Sequence, residues 1–258
     1  MLRDPIYGRL SPLHMFHADQ SPCELTMPGT CTLNISGTPC WMWQPGSGLD
    51  KRFIAIHLSI RPGGRQIIKP ILIFRGQGLQ ITQAERDQLN VLQALRWYFQ
   101  PKAWAGTEFC LWSLASFKAD LLEAGILDDL QSQHNQVFLN AAVAANVLPF
   151  YTPPDCTDVA APCDDHVFVR MKKLIKIFYR AVSDVNREEW AESSDSNSPS
   201  ASRRRTMLAQ WVNEALKLMC EGSESEAFCM SAFTSTGFLM KLADPSIDFS
   251  FVYLLSLF

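Results

Sequence analysis

Three aspartates close short apolar stretches: Asp19 in Phe16-His17-Ala18-Asp19-Gln20, Asp128 in Leu127-Asp128-Asp129-Leu130, and Asp164 in Pro162-Cys163-Asp164. Well-separated carboxylates of this kind suit a divalent-metal phosphoryl-transfer site. Mg²⁺ prefers hard oxygen ligands, takes one or two carboxylates and fills its remaining positions with water and substrate phosphate. Two such ions, roughly 4 Å apart, clamp the attacking and leaving oxygens of an in-line displacement. Spacing alone does not single out three residues from 26 acidic ones. Carboxylates buried side by side repel unless a cation joins them, which is the physical reason to expect Mg²⁺ or Mn²⁺.

The flanking residues narrow the choice. Tyr151-Thr152-Pro153-Pro154-Asp155-Cys156-Thr157-Asp158 runs through Ala160-Ala161 into Pro162-Cys163-Asp164-Asp165-His166. This block resembles the "PPNCTD…P-x-D" segment of DDE superfamily endonucleases, the pogo- and jerky-like branch of the transposases. Ala18-Asp19-Gln20-Ser21-Pro22 resembles that family's first-aspartate segment. Gly48-Leu49-Asp50-Lys51-Arg52, Ile60-Arg61-Pro62-Gly63-Gly64 and Ile71-Leu72-Ile73-Phe74-Arg75-Gly76 resemble its central sheet. Phe99-Gln100-Pro101-Lys102-Ala103-Trp104-Ala105 resembles the segment before its central helix, and Leu127-Asp128-Asp129-Leu130 its "LDNL". The likeness extends from about residue 11 to about residue 240. It implies Asp19, Asp128 and Asp164 as catalytic and metal-binding residues that converge within about 10 Å around Mg²⁺ or Mn²⁺. Asp128 is preferred to Asp129, which stands where the family has Asn; Asp164 is preferred to Asp165 because it follows Pro-x. In the family fold the first two aspartates end neighbouring strands, and the third sits at the entrance of the following helix. The chain departs from the family in two respects: no helix-turn-helix segment precedes Asp19, and only Ala124–Leu127 leads into Asp128.

The elements that must position these groups are partly legible. Leu13 to Ala18 reads as a first strand ending at Asp19. Phe53–Ile60 and Ile67–Phe74 flank Pro62-Gly63-Gly64 and read as an antiparallel hairpin at the sheet centre, beside the Asp19 strand. Leu95–Gln100 is a further strand. Glu108–Glu123 has helical periodicity, Val137–Ala145 is Ala-rich and helical, and Val147–Tyr151 is a short strand. His166–Trp190 is the clearest helix, with Val167, Met171, Leu174, Phe178, Ala181 and Val185 as its apolar stripe. Lys172, Lys173, Lys176 and Arg180 fall opposite that stripe at about 100° per residue. Ser193–Ser200 is a polar linker. A helix opens at Arg203-Arg204-Arg205, with Met207, Leu208, Trp211, Ala215 and Leu218 as its apolar face and the arginines read as solvated. The order of elements suggests an α/β (α+β) fold. The resemblance makes it RNase H-like: a mixed sheet with an antiparallel hairpin flanked by helices, over residues 1–190. A linker at 191–202 and a C-terminal helical extension at 203–258 follow.

Composition sets the remaining bounds. The net charge of −3 is not that of an autonomous DNA-binding module, so DNA contact would rest on local basic groups. The candidates are Lys102, set between aromatics, and Lys172, Lys173, Lys176 and Arg180. The eight cysteines have no zinc-site spacing and no secretory leader precedes them, so they are expected as reduced thiols inside the cell. No apolar run reaches the length of a membrane span. The five histidines form no ligand motif and read as structural or surface, with His166 the one nearest the acidic residues in sequence. Gly46-Ser47-Gly48 and Gly76-Gln77-Gly78 lack the Lys-Ser/Thr partner of a phosphate loop and read as turns. The expectation is a metal-dependent DNA endonuclease or transposase-derived protein with DNA as partner, a nuclear location and a homo-oligomer compatible with it. The second reading is a non-enzymatic derivative that keeps the fold and binds nucleic acid or protein.

Overall fold

The computed structural model describes residues 2–4, 8–10, 16–24, 53–62, 68–123, 140–141, 161–183, 200–220 and 223–236. Among them, β1 (Leu2–Asp4) and β2 (Gly8–Leu10) pair antiparallel as a separate small ribbon. The main sheet holds β3 (His17–Glu24), β4 (Phe53–Ile60), β5 (Ile71–Arg75) and β6 (Arg96–Gln100) in that spatial order. β3, β4 and β5 are antiparallel neighbours and β6 joins β5 in parallel, so the fold is mixed α/β around a mixed sheet. The parallel pair needs a crossover, supplied by α1 (Gln83–Asn90). Beyond it come α2 (Thr107–Glu123), a π-helical turn (Cys163–Phe168), α3 (Val169–Ser183), α4 (Ser200–Cys220) and α5 (Ser223–Ser235).

β4 explains the layering. Its run Phe-Ile-Ala-Ile-His-Leu-Ser-Ile is buried on both faces, with Ile54, Ile56, Leu58 and Ile60 on one and Ala55 beside the buried polar His57 and Ser59 on the other. Ile54, Ile56, Leu58 and Ile60 share one buried cluster with Met171 and Ile175 of α3 and with Leu208, Ala209, Val212, Ala215, Leu216 and Met219 of α4. Ala55 faces the other way, with Ile71 and Ile73, onto Phe109 and Cys110 of α2. Met171 and Phe74 are fully enclosed on the α3–α4 side. Truncating either to Ala costs about 2 to 5 kcal/mol through lost burial and the cavity left behind.

The hairpin forms as expected, with β4 matching its range and β5 pairing antiparallel to it through Ala55–Ile73, Ile56–Leu72 and His57–Ile71. β5 starts at Ile71 rather than Ile67. Pro70 cannot donate to a ladder, and its carbonyl instead accepts from Arg96 N at 2.8 Å. The first strand is displaced from the expected Leu13–Ala18: it runs His17–Glu24 and carries Asp19 inside it. Pro22 is tolerated there because β3 is an edge strand among the described residues. The helix α1 was not read from the sequence. Its signature is Thr82-x-x-Glu85: Thr82 Oγ1 accepts from Glu85 N at 3.2 Å, the start of a capping box.

Three expectations about the helices are corrected. Val167 of the π-helical turn and Met171 of α3 are buried as expected and Leu174 and Phe178 pack half-buried against the same core, but Ile175 is buried where the stripe omitted it and Ala181 is exposed. A stripe stepping by four and three averages 3.5 residues per turn, and a straight helix at 3.6 drifts away from it by about 20° every seven residues. On α4 Leu218 is exposed, because the buried set 208, 212, 215 and 219 lies one position away from it. The three arginines are not simply solvated. Helix α4 begins at Ser200, inside the stretch expected as linker, and Arg204 is buried. Arg205 grips Glu85 of α1, with Nε donating to Oε1 at 2.5 Å and Nη2 to Oε2 at 2.9 Å. The expected elements at Val137–Ala145, apart from helical Asn140 and Ala141, and at Val147–Tyr151 lie outside the described residues.

Candidate active site

The register of β3 decides what Asp19 faces. Directly opposed residues of an antiparallel pair point to the same side. Asp19 stands opposite Leu58, Ser21 opposite Ile56 and Cys23 opposite Ile54. Asp19, Ser21 and Cys23 therefore form a row on the face covered by α3 and α4, while Gln20 points to the α2 side, where its Oε1 accepts from Ala105 N at 3.1 Å.

Against that row lies the π-helical turn. Pro162 opens it, and Cys163 is fully buried. The Cys163 Sγ faces two carbonyls, His17 O at 3.5 Å and Leu58 O at 4.0 Å, and can donate its one S–H to either. Burial first, then the negative charges of Asp19 and Asp164, pushes this thiol well above its ordinary range, so it stays protonated and able to donate. The anchor joins residues 146 positions apart and delivers the next side chain, Asp164, to Asp19. Wide π turns recur at functional sites because the extra residue re-aims a side chain.

Asp19 and Asp164 lie close enough to share a hydrogen bond. Oδ1 of Asp19 accepts from Gln20 N at 2.7 Å, whereas its buried Oδ2 has no hydrogen-bond donor among the described residues. Two carboxyls make a hydrogen bond only when one keeps a proton. Burial, followed by the Asp164 charge, accordingly pushes Asp19 up to about 7, partly offset by the Gln20 N–H and by Lys172. Lys172, expected on the outward basic face of its helix, instead turns inward: its Nζ donates to Ser21 Oγ at 2.6 Å. Its long stem runs along apolar surface and delivers the ammonium at the end.

The remaining expected residues are placed as follows. Asp128 and its neighbour Asp129 lie outside the described residues. Lys173 and Arg180 are exposed on α3 and Lys176 is half-exposed. Lys102 is exposed in the loop leading into α2. His166 Nε2 is hydrogen-bonded to Ser235 Oγ of α5 and so holds the C-terminal helix. His17 and His57 are buried, and burial lowers each to about 4. Gly76 and Gly78 do form a turn, with φ of 121° and 70°; a Cβ on Gly78 would meet Phe99 at 2.9 Å. Among the described residues no group of three or more His, Cys, Asp or Glu side chains is gathered as for a metal ion, and no helix is long and apolar enough to cross a membrane. The residues that sequence reasoning missed are Ser21 and Cys163. Their signal was the period-two row on β3 and a small apolar thiol directly before the acid.

The donor set of the pair is hard oxygen, and Asp19 Oδ2 is a buried acceptor without a donor among the described residues. Those are the properties of a group that a divalent cation would satisfy. No protein-family model, no curated protein and no solved structure matches the chain.

Proposed function

We propose that this chain is a DDE-type, divalent-metal-dependent endonuclease or transposase-derived domain of RNase H-like arrangement that acts on DNA phosphodiesters. The observation that carries the reading is the meeting of Asp19, inside β3, with Asp164, at the entrance of a helix and far away in sequence. The family likeness implies that the first and third aspartates meet and that the third stands at a helix entrance, while it puts the first at a strand's end rather than inside one. The far edge of β3 has no strand partner among the described residues. Mg²⁺ or Mn²⁺, held by Asp19 and Asp164 with Asp128, would supply charge neutralisation at the phosphate and an activated water or DNA 3′-hydroxyl. The chain's own contribution is positioning. The Cys163 anchor fixes Asp164 against β3, the Gln20 N–H orients Asp19, and the buried wall of β4 excludes water from behind the pair. Such a site accelerates phosphoryl transfer by placement and electrostatics, with little covalent work for the protein.

A second reading is favoured by one observation. Lys172 already partly compensates Asp19 from within the chain, as a fold kept for binding without turnover would tolerate. The test is nicking of supercoiled plasmid with Mg²⁺ or Mn²⁺, alongside thermal unfolding with millimolar Mn²⁺. The proposed function expects Mn²⁺ to raise the unfolding temperature by binding the folded state. It expects Asp164→Asn to abolish both effects, and Asp165→Asn to be much milder. Equal loss in both variants would move the ligand assignment. A wild-type chain that neither nicks DNA nor responds to Mn²⁺ supports the non-enzymatic reading.

A further inference from the structure

The loop from β5 to α1 walls a cavity of about 520 Å³ together with Phe99 of β6, Glu85 of α1 and the first turns of α4, including Ser202 and Arg205. The cavity opens beyond the carboxyl end of β5, beside its parallel neighbour β6, where open α/β sheets leave a crevice for ligands. It shares no residue with the Asp19–Asp164 pair. The loop is pinned in place: Gly76 N donates to Gln100 O at 3.0 Å, Arg86 Nη2 donates to Gly78 O at 3.4 Å, and Gly78 lies so close to Phe99 that a Cβ would meet the ring. The sign of φ alternates along it, 121° at Gly76, negative at Gln77 and 70° at Gly78. Successive N–H groups in a turn of this kind form a concavity suited to an anion. The N–H groups of Gln77, Gly78, Leu79, Gln80 and Ile81 donate to no acceptor among the described residues.

Arg205 supplies the charge. Its Nε and Nη2 are taken by Glu85, which leaves Nη1 without a partner among the described residues. The Glu85 carboxylate is filled by the same fork and its side chain is 1% exposed, so an incoming anion meets the outer edge of the guanidinium rather than a bare carboxylate. The guanidinium lies 5.9 Å from the centre of the Phe99 ring. The apolar part of the wall is Leu79, 82% exposed, and Ile81, half-buried. We propose that this cleft binds a small phosphate monoester with an apolar or aromatic body. The phosphate is held by Arg205 Nη1 and the N–H groups of Gln77, Gly78 and Leu79, and the body covers Leu79 and Ile81. A planar carboxylate is best matched by a free guanidinium fork, and Glu85 already holds that fork. A phosphate offers oxygens in several directions and suits donors spread round a curved loop. The cavity has the size of small-molecule sites, and a bare phosphate would leave most of it to water. The site is additional to the metal-dependent one and does not depend on it.

The test is titration of the full chain in metal-free buffer with phenyl phosphate, inorganic phosphate and phenol, followed by calorimetry and by backbone amide NMR. Phenyl phosphate should saturate one site and bind roughly ten-fold or more tightly than inorganic phosphate, because its ring covers apolar wall. Phenol should show no saturable binding, and the amide signals of Gln77, Gly78 and Leu79 should move with either phosphate. Leu79→Ser, at an exposed position, should weaken phenyl phosphate roughly three-fold or more and leave inorganic phosphate unchanged. Arg205→Lys keeps a charge for Glu85 but loses Nη1, and should weaken both phosphates roughly ten-fold. If Arg205→Lys does not fold, the amide signals and Leu79→Ser decide. Asp19→Asn should bind phenyl phosphate as the wild type does, so failure of the metal-dependent reading leaves this one standing. Phosphate binding lost in Asp19→Asn, amide shifts confined to other segments, phenol as tight as phenyl phosphate, or no saturable binding each overturn the proposal. DNA that displaces phenyl phosphate from the loop amides overturns the small-molecule assignment.

Discussion

Asp120 on the α2 side of the sheet meets Arg96 in two parallel hydrogen bonds of 2.5 and 2.6 Å, and its Oδ2 also accepts from Lys69 N at 2.9 Å. Asp19 on the α3 side meets another carboxyl, one backbone N–H and a lysine whose ammonium is bonded to a serine. Glu85 follows the first pattern. Burial alone would raise it, but the Arg205 fork and the Ser202 hydroxyl hold it below the usual carboxylate range. The chain therefore satisfies its buried acids with planar guanidinium forks where they join elements to one another. At Asp19 and Asp164 no such fork is present among the described residues. An acid left short of cations inside a structure that elsewhere supplies them is the arrangement expected where a ligand completes the charge. This contrast, rather than the mere number of acids, separates the candidate site from the structural pairs.

Breaking a structural pair should give the largest effect. Arg96→Met leaves Asp120, whose side chain is 1% exposed, without its cation. Removing one partner of a buried pair costs about 3 to 5 kcal/mol, because the remaining charge stays desolvated. Urea unfolding near neutral pH measures it. A loss below about 1 kcal/mol, typical of a surface pair, would show that Asp120 is rescued by solvent and would weaken the contrast.

The candidate site should respond with the opposite sign. Asp19→Asn removes a carboxyl whose ionisation is opposed by burial and by Asp164. In metal-free buffer at pH 8 the variant should be more stable than wild type, on the order of 2 kcal/mol, since the raised pKa is itself a stability cost above it. Addition of Mn²⁺ should narrow or reverse that gap, because only the wild type gains a ligand. A variant less stable than wild type in metal-free buffer would mean that the carboxylate is satisfied as Asp120 is.

Sequence reading reached the parts of this molecule whose signals are local. β4 was legible to the residue because a β-branched run between turn residues has few alternatives. Helix α2 was legible from its periodicity, starting at Thr107 against an expected Glu108. The face of β3 was not: a shift of the strand from Leu13–Ala18 to His17–Glu24 changes what Asp19 can touch, and register depends on the pairing partner rather than on β3 itself. The inward turn of Lys172 was hidden for a related reason. Lys172 was expected opposite the apolar stripe, whereas one step of about 100° from Met171 leaves its Cα at the flank, and only the position of Ser21 decides that a flexible stem bends in rather than out. Arg205 and Glu85, 120 positions apart, form a pair that no local pattern announces.

The smallest effect, and the one that separates the regions most finely, is the pH profile. Asp19 rises from 3.8 to about 7 on folding, so between these values the native chain holds a proton that the unfolded chain has released. Its contribution is unfavourable above about pH 7 and the penalty fades as pH falls towards 3.8. His17 and His57 fall from 6.5 to about 4, so over that window the unfolded chain takes up protons that the native one refuses. They destabilise progressively as pH drops from 6.5 to 4. Two histidines oppose one aspartate across the shared window, and stability should therefore climb from pH 4 to 6.5, then dip slightly as Asp19 finishes ionising. Deleting the opposing group should steepen the climb: with Asp19 gone the two histidines act unopposed, so the acid limb of Asp19→Asn is steeper than that of wild type. The stability difference between the two proteins, measured by urea unfolding from pH 4 to 8 with chelator present, reports Asp19 together with the Asp164 coupled to it, because groups distant from the pair cancel. It should start near zero at pH 4, grow up to about pH 7 and then level off. A difference already complete at pH 5 would place Asp19 in the ordinary carboxylate range, and the acidic pair would then be no different in kind from Asp120 and Arg96.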